Sequence, residues 1–312
     1  MTAGAAGACL LLAASASVAR STPSLRVRAP ELERPASERY PDPARPADPV
    51  KAAVFARINE DRARSGQPPV EWDDAASRAG DAFCAAQIQE KTRGHFLTDG
   101  IPPYARMSFA GVFALHAQNA VSWVTTAKSF TESTIDLALQ GEEHMMAERP
   151  PHDGHRVTIL DPEATHVGVG YGVSGGRFQM SEEFLTRRFT RMTLAAEAPG
   201  TVSVSGTAVK GLRVRFVTIA REALPRTLTR EQASSRSSYE YPRAHLAYVP
   251  EGMHGATVVG MATEDKLRAL PGREFAFSFT ADRPGLYTFQ IYVSANDGDR
   301  PRPGGGATLW FE

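Results

Sequence analysis

Val167-Gly168-Val169-Gly170-Tyr171 and Phe178-Gln179-Met180, joined through Ser174-Gly175-Gly176, alternate apolar with small or polar residues about a glycine-rich turn. That period of two with a Gly-Gly centre predicts an antiparallel hairpin. Just upstream, Asp153-Gly154 turns into the short run His155-Arg156-Val157-Thr158-Ile159-Leu160, which Asp161-Pro162 ends. Residues 130–146 have a helical pattern that Arg149-Pro150-Pro151 stops, and Ala117 to Trp123 forms a short apolar segment. Towards the N-terminus, Asp48-Pro49 places a capping residue and a first-turn proline ahead of Val54 and Ile58, so a helix starts there. Ser65-Gly66-Gln67-Pro68-Pro69 ends it, and a second helix from about Asp73 presents Ala75, Ala79, Phe83 and Ala86 on one face. Helices flanking a small antiparallel sheet make residues 49–190 an α+β unit, an α-β-α sandwich.

From residue 191 the texture changes to seven or so short strands with no helical period, at 202–204, 212–219, 246–249, 256–261, 275–279, 286–293 and 308–311. Residues 191–312 are therefore expected to be an all-β, immunoglobulin-like sandwich. A Ser/Arg-rich loop at 221–243 interrupts it. Residues 1–19 are nearly uncharged, with an apolar core at residues 8–14 and small residues near Ala19, the pattern of a secretory signal although no basic residue precedes the core. Residues 20–48 are proline-rich without apolar periodicity, which predicts an unfolded tether. With Cys9 removed in that signal, Cys84 stands alone and no intrachain disulfide forms. The 312-residue chain carries 35 basic and 35 acidic residues, so nothing in its net charge recruits nucleic acid or an acidic membrane.

Five motifs occur in one order: Ile58-Asn59-Glu60-Asp61-Arg62, Pro69-Val70-Glu71-Trp72-Asp73, His95, Gly154-His155-Arg156-Val157-Thr158-Ile159-Leu160-Asp161-Pro162, and Val167-Gly168-Val169-Gly170. Together they resemble the CAP superfamily (the SCP domain of the cysteine-rich secretory, antigen 5 and pathogenesis-related type) in its bacterial form. The resemblance implies a cleft of two histidines and two acidic residues, and places the histidines at His95 and His155. The chain departs from the pattern at Gln118-Asn119-Ala120-Val121, where the family's Glu-Asn-Ile-Ala has a carboxylate. For the second acidic position Glu142, Glu143 and Glu148 are candidates, with Glu182 and Glu183 weaker ones. The expected cleft is therefore His95, Gln118, Asn119, Glu143 and His155.

Two imidazoles can hold a divalent cation such as zinc, with at least one further ligand to be found. The same pair can instead hydrogen-bond to backbone around a polar cleft, and both readings stand at this level. His152 is either a third ligand or a solvated turn residue. A hydrolase would need a general base in reach of a metal-bound water, and Gln118 cannot accept that proton. The signal-like leader and the resemblance together lead to the expectation of a secreted, periplasmic or cell-surface binding module for a small ligand, lipid or cation, and the β-domain is expected to dock it to a surface or partner such as an envelope component. A zinc-dependent envelope hydrolase is the alternative, and no catalytic residue is assigned.

Two familiar patterns fail on context. Gly172-Val173-Ser174-Gly175-Gly176 matches the serine-hydrolase elbow and Gly170-Tyr171-Gly172-Val173-Ser174-Gly175 the dinucleotide fingerprint, yet both need a following helix and here a strand returns. Cys84, beside Phe83, lacks a basic neighbour and reads as a buried inert thiol. Phe109, Phe113 and Trp123 either line a lipid groove or fill a core. Tyr239, Tyr241 and Tyr248 suit either a binding face or sandwich packing.

Overall fold

The computed structural model describes residues 25, 27–28, 46–250, 261–269 and 273–312. The expected signal, most of the expected tether, and residues 256–260 of one expected strand lie outside them.

Helix α1 (Pro49–Arg64) begins where Asp48 accepts hydrogen bonds from the backbone of Val50 and Lys51 at 2.9 and 3.1 Å, pairing donors that a first helical turn leaves free. Val50, Val54 and Ile58 form its buried face. Asn59 exchanges two hydrogen bonds with the backbone of Val70, at 2.8 and 3.1 Å. Arg62, fully buried, donates to the carbonyls of Pro68, Ile159 and Asp161 at 2.8, 2.6 and 3.0 Å. Ile-Asn-x-x-Arg is therefore a clamp: the Ile enters the core, the Asn holds the incoming strand, and the Arg holds the end of the helix that carries His155.

The rest of the first domain comprises β2 (Glu71–Trp72), α2 (Asp74–Glu90), α3 (Pro103–Phe109), β3 (Leu115–Val124), α4 (Thr134–Ala147), α5 (Gly154–Ile159), β4 (His166–Ser174) and β5 (Arg177–Thr186). The sheet order is β2-β4-β5-β3, antiparallel except for β2 against β4. α1, α4 and α5 cover one face around Ile58, Ile159, Val167 and Phe178, while α2 and α3 cover the other through Ala76, Met107 and Leu185. The expected α-β-α sandwich is what forms. The expected hairpin closes through Gly175 and Gly176, both at positive φ, and Ser174 ends a strand with no helix after it. The run beginning His155 is helical, and α3 starts at the proline pair Pro102-Pro103, because proline suits a first helical turn.

The second domain contains β6 (Phe189–Ala198), β7 (Thr201–Ala208), β8 (Arg213–Glu222), α6 (Arg230–Ser235), β9 (Ala244–Pro250), β10 (Ala262–Ala269), β11 (Glu274–Thr280), β12 (Gly285–Ser294) and β13 (Arg302–Phe311). With β1 (Val27–Arg28) these make one ladder, β1-β13-β12-β8-β9-β10-β11-β7-β6. Leu194 and Val204 near one end share a core with Val217, Phe289 and Phe311 near the other, so the sheet folds over itself into two layers. Strands β9 and β10 run parallel, a departure from an all-antiparallel sandwich.

Two expectations change here. Val27 and Arg28 pair with Phe311 and Trp310, and Leu25 and Val27 pack against the β-core, so this part of residues 20–48 is structured rather than a tether. The boundary expected at residue 190 falls inside β6, because Arg188 and the strand after it already hydrogen-bond to the second domain.

The domains share an extensive interface. Phe113 is buried in the β-domain core, Tyr104 lies beside Leu286, and the backbone of Thr308 donates to the Ser108 hydroxyl at 2.9 Å. Trp123 packs in the first domain's core and donates to the Leu137 carbonyl, and Phe109 packs edge-on to Trp310. All three aromatics are thus used in packing. The segment between β8 and β9 returns to the first domain: Leu228 donates to the Thr98 carbonyl at 2.8 Å, and Ala233 is buried with Phe96.

Candidate functional site

β3 is an edge strand of the first sheet, and the site forms where both helical layers reach that edge. Gln118 and Asn119 are adjacent, so their side chains leave opposite faces of the strand. Across the ladder they face Glu183 and Glu182, adjacent on β5 and split between faces in the same way. On one side Gln118 donates to Glu183 at 3.0 Å and meets His95 Nδ1 at 3.1 Å through its carbonyl oxygen. On the other, Asn119 donates to Glu182 at 3.0 Å and to the His155 carbonyl at 3.1 Å. The histidines, far apart in sequence, converge with ring centroids 6.4 Å apart.

The hydrogen bonds fix the tautomers. Glu183 is fully buried and accepts from His116 Nε2 at 2.6 Å as well as from Gln118. Burial opposes its charge, yet the bonds from His116, Gln118 and Ser181 outweigh burial and hold it below the usual carboxylate range. A charged Glu183 takes the Gln118 amide N–H, which leaves the Gln118 oxygen for His95 and requires the proton on His95 Nδ1. Burial, reinforced by the nearby His155, holds His95 below the usual imidazole range. Its neutral ring then carries the lone pair on Nε2. His155 is oriented likewise: Glu148 accepts from its Nδ1 at 2.5 Å and from its backbone N–H at 3.0 Å. A carboxylate behind an imidazole in this way sets the ring's direction and raises its basicity as a ligand.

The second domain supplies the remaining wall. The Tyr239 hydroxyl accepts from the Gln118 backbone at 2.6 Å, and the Tyr241 hydroxyl accepts from the His116 backbone at 2.8 Å. These are outward-facing N–H groups of an edge strand, which need a partner. The Tyr239 ring lies edge-on to His95 at 5.1 Å, and Tyr241 stacks on Tyr104 at 4.4 Å. The resulting cavity, about 570 Å³, is lined by His95, Gln118, Asn119, Glu148, His152, His155 and the strap residues 237–241, among others.

Residues 55–186 match the model of the cysteine-rich secretory protein family, CAP. This region is a CAP domain. No curated protein matches the chain. Among solved structures, an outer surface protein of Borrelia burgdorferi is 14% identical over 46% of this chain and 96% of its own, with a TM-score of 0.37. An extracellular SCP-domain protein of Bacillus anthracis is 17% identical over 46% of this chain and 45% of its own, with a TM-score of 0.35. A cysteine-rich secretory protein of Staphylococcus aureus is 16% identical over 46% of this chain and 42% of its own, at 0.31. This chain spans less than half the length of the latter two. No helix among the described residues is long and apolar enough to cross a membrane.

Four of the five expected cleft residues, His95, Gln118, Asn119 and His155, line the CAP cavity, and Glu143 does not. Glu143 is exposed on α4; the carboxylate at His155 is Glu148, because α4 has ended and the chain doubles back at 149–152 before α5 begins. Sequence reasoning ranked Glu183 low and missed Tyr239 as a cleft residue. The signal for Glu183 lay in Gln179, Ser181, Glu182 and Glu183, polar residues on a strand buried on both faces. Cys84 is buried, and burial pushes its thiol up, as an inert cysteine requires. A divalent cation fits the donor set only in part. Two imidazoles on one tetrahedral zinc bring their centroids to about 5 Å, closer than they stand here. No group of three or more His, Cys, Asp or Glu side chains is assembled for a metal among the described residues.

Behind Asn119 lies a feature the cleft does not use. Glu142 is fully buried, receives no hydrogen bond from an N–H or hydroxyl among the described residues, and meets the Glu182 carboxyl. Burial first, and then Glu182, push Glu142 well above its usual 4.5. Two touching carboxyls are stable only with a proton between them. The pair therefore stabilises the fold fully below pH 4.5, and that contribution is lost as pH rises towards the native value. Glu142→Gln supplies a permanent donor and is expected to stabilise the protein by about 1–2 kcal/mol at neutral pH. Urea unfolding from about pH 5 to about pH 8 checks this, the gain growing with pH.

Proposed function

We propose that this protein is a secreted or cell-surface binding module whose CAP cleft recognises a small polar ligand, with the second domain forming part of the pocket. The observation that carries this reading is the arrangement of the imidazoles. Nδ1 of His95 is engaged by Gln118 and Nδ1 of His155 by Glu148, which leaves Nε2 of each ring to face a ligand. The nearest carboxylates are already committed, Glu148 to His155 and Glu183 to His116 and Gln118. Neither of these carboxylates is left unengaged to activate a water, and an amide stands where the family has a carboxylate. The imidazole and tyrosine faces offer carbon surface and their edges offer hydrogen bonds, which suits a ligand with a flat ring and polar substituents. A cation held by His95 and His155 would complete its shell from water or from the ligand, polarising the ligand's oxygen.

The test uses the full chain, with His95→Ala and His155→Ala. Calorimetric titration with zinc alone is expected to give weak binding that drops roughly tenfold in either variant. Assays on peptide and cell-wall glycan substrates are expected to show no turnover. Metal-dependent turnover abolished in both variants would replace this reading with a zinc-dependent envelope hydrolase.

A further inference from the structure

A second cavity, about 470 Å³, lies between the turn that follows α2 and helix α6 of the second domain. Its lining includes Lys91, Arg93, Arg177 and Arg230, against the single carboxylate of Glu231. The chain as a whole has as many acidic as basic residues, so this local excess of positive charge is not visible in its net charge. None of the four cations forms an ion pair with a carboxylate among the described residues, whereas other cations, such as Arg187, Arg188 and Lys51, are paired. Four cations around one carboxylate leave an excess of positive charge that repels itself, and an anion between them removes the repulsion.

Thr92 supplies the independent observation. It lines the same cavity, is fully buried, and its hydroxyl has no hydrogen-bond partner among the described residues. A buried hydroxyl is ordinarily paired, and an unpaired one at a cavity points to a ligand atom. Lys91 adds to this, since it occupies the left-handed region at φ 58°, where glycine is easier, and so keeps a charged side chain at the rim.

We propose that this cavity is a site for a tetrahedral oxyanion carrying more than one negative charge, a phosphate or sulfate group. Guanidinium groups match such oxygens in pairs, the ammonium of Lys91 adds a point charge, and the Thr92 hydroxyl supplies an uncharged donor. The volume leaves room for the group that bears the oxyanion. Lys91, Arg93 and Arg177 belong to the CAP domain, while Arg230 sits on the strap that ends in Tyr239. The anion therefore joins the two domains and fastens the strap that walls the histidine cleft.

The experiment is calorimetric titration of the full chain with inorganic pyrophosphate and, separately, with sulfate, at low salt and at about 0.3 M NaCl, where charges are strongly screened. Saturable one-to-one binding is expected, weakened by salt and weakened roughly tenfold by Arg177→Gln or Arg230→Gln. Thr92→Val is expected to weaken it with no change of charge, and Arg93→Lys to retain most of it. The ranking of the two anions separates a phosphate site from a sulfate site. Absence of saturable binding to the unaltered chain at millimolar pyrophosphate overturns the proposal. Binding that survives Arg177→Gln combined with Arg230→Gln overturns it too, and melting curves establish that each variant is folded. Neither outcome touches the histidine cleft, whose test uses different residues and a different probe.

Discussion

Glu183→Ala is expected to lower the stability of the protein by about 3–5 kcal/mol, the range for breaking a fully buried charged contact by removing one partner. Glu183 is the only acceptor among the described residues for His116 Nε2 and for the Gln118 amide N–H, and all three side chains are buried. Without it, two donors are left unpaired inside the sheet and the Gln118 amide loses the partner that sets its orientation. His95 is then no longer fixed in the tautomer that leaves Nε2 free, so zinc affinity at the cleft is expected to fall with stability. The pH dependence follows from the lowered carboxyl. Its stabilising contribution is complete above the unfolded value of 4.5 and is lost as pH falls through the lower native value. Glu183→Ala should therefore remove part of the acid limb of the unfolding profile as well as reducing stability at neutral pH. Urea unfolding at several pH values decides the matter, and a change below about 0.5 kcal/mol at neutral pH would show that Glu183 is not the hub of this network.

Gly170→Val is expected to be at least as damaging, for a steric reason. A Cβ at Gly170 would lie 2.0 Å from the Gly80 carbonyl carbon and 2.3 Å from the Asp81 nitrogen, both backbone atoms that cannot rotate away. Gly168 stands in the same relation to α2, its Cβ falling 2.3 Å from the Ser77 nitrogen. The repeated glycine of Val-Gly-Val-Gly thus lets helix α2 lie directly on strand β4, while the valines enter the opposite core. Forcing in a branched side chain must displace the helix, and overpacking of this kind costs about 3 kcal/mol or more. The loop after α2 carries His95, so that displacement would also spoil the cleft. Gly154→Ala is the control: nothing among the described residues lies within 4 Å of its Cβ and its φ is ordinary, so its stability should stay within about 0.5 kcal/mol of the parent. Thermal melts of the two variants side by side give the comparison.

The docking of the domains brings part of the second one into the site. The sequence alone suggested a β-sandwich that attaches the first domain to something else. In the structure its long loop pairs the free edge of β3 and contributes Tyr239 to the pocket. Tyr248, the third tyrosine of that expectation, is buried in the β-core.

Local physics made much of this legible from residues in order. Asp48-Pro49 with Val54 and Ile58 specified α1, because capping and a 3.6-residue period act within a few positions. Ser174-Gly175-Gly176 specified the hairpin, and the motif order was enough to bring His95 and His155 into one cleft. Tertiary structure alone decided that Glu148 rather than Glu143 holds His155, because one residue's difference in where α4 ends and the chain doubles back is not written in any helical period. It decided that Glu182 and Glu183 serve opposite faces with different partners, since a strand's register assigns those faces only once β3 is laid beside it. It also decided that Tyr239 meets His95, a contact between residues 144 positions apart that depends on how two separately encoded cores come to rest against each other.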